Sequence, residues 1–290
     1  MAACQTRQSA CHPHLHPSIS VLRSNVQMKG ITVPINREKI ERQLYKLKAS
    51  QSQSIGKKLS GLKNLLECVD DSLQLQSAKQ TLSHERQSLC AENALNGSLE
   101  LLDLCDTTRG FFSQMKEYLQ ELELSLRRRK GTSEVDAYMV SRKQLNKLIK
   151  KCLRNLNRKE RNCSTEALYN NSNVISMLRG VEEMSFAVLK SILSFISQPK
   201  AKTKSSVISR LMQSKRVSCE VEVEDNEVGN IDSELLILKS SKDINCLQLQ
   251  NVLKGLESLE STIQEAEEEL DCIYRQLVKI RVSLLNIMNH

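Results

Sequence analysis

Residues near the start of the chain come closest, by type and spacing, to a chemical site. Cys11, His12, His14 and His16 fall within six residues, and thiol and imidazole groups are the ligands that a soft divalent metal prefers. The tract carries no periodic pattern that would build a fold around these ligands and orient them. We therefore predict no metal site and no cofactor, and a metal protein centred on this tract is the rival interpretation.

Catalytic chemistry finds little support in the remaining residues. A serine or cysteine nucleophile needs a positioned base, and only His84 and His290 lie outside the N-terminal tract. His84 is interpreted as part of a helix start that opens at Ser83, and His290 is the last residue. The carboxylates within 265–269 fall on the polar side of a long helix and are expected to be solvated. The ten cysteines contain no C-x-x-C pair, and we predict no catalytic residue and no enzyme.

A cluster of cations is the third candidate. The chain has a net charge of +8, and residues 127–161 alone hold thirteen basic and three acidic side chains. Spacings of three and four place six of the cations on one side of a helix, opposite an apolar side. We call these six residues the basic face: Lys143, Lys147, Lys150, Arg154, Arg158 and Arg161.

The basic face, within the stretch 142–161, is the predicted binding site for an acidic partner protein or an anionic membrane surface. Two alternatives stay open: the face is only solvated, or it docks on the chain's own acidic segment at 220–234. Nucleic acid is disfavoured as a partner, because no aromatic side chain that could stack on bases is interleaved with the cations.

Composition predicts that helices position these residues. The chain has 9 glycines, 4 prolines and no tryptophan, too few turn-forming and aromatic residues for a β-sandwich or barrel. Asn96, Gly97 and Ser98 predict the end of one helical segment and the start of the next. Apolar periodicity and capping residues predict five helices: Asn36 through Leu47, Ile55 to Leu73, about Leu99 to Arg128, Ser133 to about Asn162, and about Thr165 to Ser197.

The strongest periodic signal lies in the C-terminal helix. Twelve apolar residues alternate spacings of three and four, as in a heptad seam: Leu249, Val252, Leu256, Leu259, Ile263, Ala266, Leu270, Ile273, Leu277, Ile280, Leu284 and Ile287. An intramolecular bundle and a homo-oligomeric coiled coil both fit this pattern. Further apolar residues beside the seam, such as Leu253 and Tyr274, favour the bundle. The predicted fold is all-α, an elongated antiparallel helical bundle with this helix along residues 55–130.

The predicted domain organisation is a disordered tail over 1–35 and a bundle domain over 36–290. Inside the domain, residues 198–232 form a linker that is basic and then acidic, and 220–234 is interpreted as a solvated loop. The N-terminus has no continuous apolar core of a secretory signal, and no stretch approaches a membrane span. We expect an intracellular protein, cytoplasmic or at the membrane periphery, with a nuclear location disfavoured.

Several segments read together are similar to a known family: 40–47, 55–65, 97–103, 112–122 and 126–131. They resemble the plant-specific BYPASS-related family, and the likeness runs from about residue 36 to the C-terminus. Residues 96–156 are its most specific part. The resemblance implies a non-enzymatic helical protein associated with root and shoot development, and it supplies no catalytic residues.

Overall fold

The computed structural model describes residues 37–49, 53–128, 133–163, 173–197, 227–240 and 246–289. These ranges contain helices and short turns and no strand, which confirms the all-α class. The helices are α1 (37–49), α2 (Ile55–Leu73), α3 (Gln76–His84), α4 (Leu89–Arg127), α5 (Ser133–Cys163), α6 (Asn173–Ser197), α7 (Glu227–Ser240) and α8 (Cys246–Asn289).

Helix α8 is the central element of the bundle. Its 44 residues extend over about 66 Å, and it packs mainly against α4 and α2. Eleven of the twelve predicted seam residues are buried, and the twelfth, Leu249, is half-buried. The seam is therefore filled by helices of its own chain, as the bundle interpretation predicted.

Helix α4 runs antiparallel to α8. Arg109 forms an ion pair with Asp271, and seven residues later on α4 the ammonium of Lys116 lies 3.1 Å from the carboxylate of Glu267. As residue numbers rise along α4, those of its partners on α8 fall. The antiparallel arrangement predicted for the C-terminal helix thus holds against α4.

Helix α2 runs parallel to α8 on another side. The Lys63 ammonium lies 2.9 Å from the Glu269 carboxylate, and the Gln74 amide donates to the hydroxyl of Ser283 at 3.3 Å. The α8 seam is thus held between one parallel and one antiparallel neighbour.

Two predicted features before residue 99 are wrong. Residues 96–98 lie inside α4, where the Ser98 hydroxyl donates back to the Leu95 carbonyl at 2.7 Å instead of capping a new helix. The helix begins ten residues earlier than predicted, after Ser88, whose hydroxyl accepts from the Ala91 N–H at 3.2 Å. His84, which is predicted to belong to a helix start, is the last residue of α3.

The solvated loop predicted over 220–234 is wrong from residue 227 onward, where α7 begins. Four buried residues follow spacings of three and four: Val228, Ile231, Leu235 and Leu238. They form a short apolar stripe that predicts a helix, whereas the acidic residues around it favour a solvated loop. Residues 198–226 of the predicted linker and the predicted tail over 1–35 lie outside the described residues. The domain boundaries therefore stay predictions.

We predict that Leu270→Ala lowers the free energy of unfolding by about 3 kcal/mol, because the fully buried side chain leaves a cavity between α8 and α4. Denaturant unfolding measures the loss. Val282→Ala on the same helix, where the side chain is 49% exposed, is the control and should cost less than about 1 kcal/mol. Equal losses in the two variants would contradict a seam filled from within the chain.

Candidate functional site

Helix α5 is amphipathic and presents the basic face on its outer side. Its inner side carries Val135, Tyr138, Leu145 and Ile149, all buried, and packs against α4 and α6. Spacings of three, four and seven keep these side chains on one side of the helix. Burial of that side leaves the opposite side facing solvent.

The cations of the basic face are exposed. This holds for Lys143, Lys147, Lys150, Arg154 and Arg158, while the side chain of Arg161 lies outside the description. The five span about 22 Å of helix. Residues 137–158 include no acidic side chain, and within the described part of the chain none of the five forms an ion pair. The face is therefore a continuous line of positive charge.

Arg142, the first residue of the predicted basic stretch 142–161, is not on this surface, and its side chain is only 3% exposed. Its guanidinium lies 3.7 Å from the carboxylate of Asp232 on α7 and donates to the Asn146 side chain at 2.7 Å. It also donates to the carbonyl of Ile196 in the last turn of α6, where a cation is favoured. Arg142 thus joins three helices.

Tyr138 completes this buried cluster. Its hydroxyl donates to the carboxylate of Asp232 at 3.2 Å. Burial, together with the nearby carboxylate, raises the pKa of Tyr138, so the phenol stays protonated as a donor. The sequence held a signal for the cluster that its interpretation missed: Arg142 lies four residues from Tyr138 and three from Leu145, on the apolar stripe of α5.

The acidic helix α7 touches α5 away from the basic face. Asp232 contacts the inner side through Arg142, and Lys239 pairs with Asp136 before the line of cations begins. In the structure, residues 227–234 therefore do not dock on the basic face. Residues 220–226 lie outside the described part.

The described ranges give no support to the other sequence candidates. The described ranges contain no group of three or more His, Cys, Asp or Glu side chains that could hold a metal, and the tract of residues 11–16 lies outside them. His84 is exposed at the end of α3. Burial raises the pKa of Cys105 to about 12, which keeps this thiol protonated.

Two carboxylates expected to be solvated are instead partly buried. Glu267 pairs with Lys116 of α4, and Glu269 pairs with Lys63 of α2. Both residues flank the α8 seam, so the helices that bury the seam also enclose them. They act as contacts between helices.

Glu182 of α6 is a half-buried carboxylate held against Gly97 of α4. A Cβ at residue 97 would lie 2.3 Å from the carboxylate oxygen, so the Glu182 carboxylate occupies its present position only because residue 97 is glycine. Burial, with smaller contributions from Glu100 and Glu183, raises the pKa of Glu182 to about 7. Glu182 is thus a pH-sensitive point of the contact between α4 and α6.

A comparison with known families gives a match over most of the chain. The family model described as Protein BPS1 matches residues 58–287, most of α2 and α8 and all of the helices between them. This chain belongs to the BPS1 family. Membership confirms the BYPASS-related resemblance, and all described residues of the basic face lie within the match. A search of curated proteins and a search of solved structures each found no match.

Among the described residues, no helix combines the length and the apolar content needed to cross a bilayer.

Asp232→Asn is expected to lower the free energy of unfolding by about 3 kcal/mol, because it leaves the buried Arg142 cation without its counter-charge. Thermal or denaturant unfolding measures the effect. Asp136→Asn removes an exposed ion pair with Lys239 and serves as the control, with a cost below about 1 kcal/mol. If both variants lost the same small amount, Arg142 and Asp232 would not be the link described here.

Glu182→Gln is expected to stabilise the protein at pH 8 and to change little at pH 4.5. The folded-state pKa of about 7 exceeds the ordinary value of 4.5, so the contribution of Glu182 to stability is present at low pH and is lost as pH rises through 7. Allowing for partial exposure, the gain at pH 8 is about 1–2 kcal/mol. Denaturant unfolding at both pH values measures it, and a gain independent of pH would refute this origin.

Proposed function

We propose that this protein is a non-enzymatic interaction protein that binds anionic surfaces through the basic face of α5. It would do so in the developmental setting of root and shoot that the family resemblance implies, in the cytoplasm or at the membrane periphery. One observation carries the proposal: five exposed cations lie in line on α5, and no carboxylate of the described residues pairs with them.

The spacing of the cations supports a combined effect. Neighbours three or four residues apart on a helix lie about 6 Å from each other, which is less than the screening length of about 8 Å at physiological ionic strength. Their fields therefore add along the helix. Repulsion between such neighbours disfavours an isolated helix, and burial of the inner side of α5 offsets this.

The scaffold keeps the face fixed. Arg142 and Tyr138 tie α5 to α7, and the guanidinium of Arg142 also bonds to the end of α6. An anionic partner would therefore meet cations already held on an ordered helix, which lowers the ordering cost of binding.

The alternative of a coiled-coil scaffold loses its main support. That interpretation depended on a heptad seam open to a second copy, and α2 and α4 fill the seam. Mass measured by light scattering distinguishes the two roles: a monomer agrees with the interaction protein, whereas an obligate dimer agrees with the scaffold.

The test reverses four charges of the face and measures binding to two anionic probes, a fluorescent polyglutamate peptide and phosphatidylcholine vesicles containing phosphatidylserine. The variant carries Lys147→Glu, Lys150→Glu, Arg154→Glu and Arg158→Glu. We expect wild type to bind at least one probe and the variant to bind it more than about a hundredfold more weakly.

The control changes the net charge equally at four exposed lysines on other helices. It carries Lys46→Glu, Lys48→Glu, Lys57→Glu and Lys279→Glu. We expect this control to lose less than about tenfold in affinity, since distant exposed charges are largely screened. Equal losses in the two variants would show that net charge, and not the basic face, governs binding.

A further inference from the structure

We infer, resting on the proposed function, that the anionic surface bound by the basic face is a phospholipid bilayer, and that Val140 and Leu148 enter its headgroup layer. Both are apolar side chains on the outer side of α5, 56% and 51% exposed. The juxtaposition of these two side chains with the line of cations carries the inference.

The two apolar residues lie in and beside the stripe of cations. Val140 precedes Lys143 and Lys147 by three and seven residues, which places it in the same stripe of the helix. Leu148 is the residue after Lys147, about 100° around the helix, so it lies on the exposed flank beside the stripe. A membrane interface accepts this mixture, because apolar groups enter the acyl boundary while Lys and Arg heads stay with the phosphates.

The shape of the site also favours a bilayer over an acidic polypeptide. The basic face is the outer ridge of a single helix, whereas peptide ligands characteristically occupy a groove between elements or extend a sheet edge. A ridge of long, flexible cationic side chains fits a broad, flat layer of negative charge.

The residue types on the outer side agree with this choice. Protein interfaces concentrate their binding energy in aromatic and arginine side chains packed in pockets. Tyr138, the one aromatic residue within 137–158, is buried and engaged with Asp232. Within 137–158 the exposed side of α5 carries six lysine and arginine side chains and two large aliphatic ones, the mixture that an interfacial helix uses. The remaining exposed residues there are small or uncharged: Ala137, Gln144, Asn155 and Asn157.

The geometry implies docking without rearrangement of the bundle. The inner side of α5 stays packed against α4 and α6 while the outer side lies along the lipid surface. Attachment is peripheral and reversible, and it weakens as salt concentration rises because the attraction is electrostatic.

The experiment is co-sedimentation of the full chain with vesicles of phosphatidylcholine alone and of phosphatidylcholine with phosphatidylserine. The decisive variant is Val140→Gln with Leu148→Gln, which removes the apolar groups, leaves every charge in place and keeps good helix formers. We expect wild type to bind only the phosphatidylserine vesicles, and this variant to bind them several-fold more weakly while its binding to polyglutamate is unchanged.

A matched control replaces two exposed leucines of α4, Leu89→Gln with Leu124→Gln, and should sediment like wild type. Circular dichroism shows that each variant retains its helices. If the Val140 and Leu148 variant sedimented like wild type, the apolar part of the inference would be overturned.

Binding to the two probes distinguishes failure of the bilayer inference from failure of the proposed function. Binding to polyglutamate without binding to phosphatidylserine vesicles would make the partner an acidic protein, which overturns the bilayer inference and leaves the proposed function standing. Binding to neither probe would overturn both.

Discussion

Burial of one side of α8 is the constraint on which the rest of the structure depends. The seam places aliphatic residues between α2 and α4, and polar contacts at its margins set the register of the three helices. On α4, the Arg109 guanidinium pairs with Asp271 and lies 5.1 Å from the centre of the Tyr274 ring. A shift of α8 by one turn would break these contacts. Burial of the seam therefore stabilises the packing of the three helices, and the polar contacts at its margins fix their register.

Contacts that run from α8 through α7 to α5 determine the position of the basic face. Ile231 of α7 packs on Gly255 of α8, where a Cβ would lie 2.4 Å from the end of the isoleucine side chain. The next residue of α7, Asp232, contacts α5 and meets Arg142. A sequence of contacts thus runs from the seam to the inner side of α5, and it leaves the outer side, with its cations, to solvent.

Periodic features of this chain could be predicted from the sequence, and features set by contacts between distant helices could not. The α8 seam, the bounds of α2 and the two sides of α5 follow from apolar spacing alone. The stop at residues 96–98 was predicted from turn-forming residues, yet Gly97 serves the approach of Glu182 from another helix. No local pattern contains that neighbour.

The charged residues show the same difference between features set by local periodicity and features set by contacts between distant helices. The exposure of Lys147 or Arg154 follows from lying opposite an apolar stripe, because that requires only α5. The apolar stripe of α5 indicates that Arg142 faces inward, but its pairing with Asp232 requires knowledge that α7 docks beside α5. Glu267 and Glu269 were misjudged for the same reason, since their lysine partners lie on α4 and α2.

The central claim is that the outer side of α5 meets an anionic bilayer while the bundle stays intact. Acylation of lysine side chains with a small reagent, read by mass spectrometry with and without phosphatidylserine vesicles, tests it most directly. The account predicts that Lys143, Lys147 and Lys150 lose reactivity on vesicles while the exposed Lys46 and Lys57 do not. Uniform protection of all five lysines, or protection confined to Lys46 and Lys57, would contradict it.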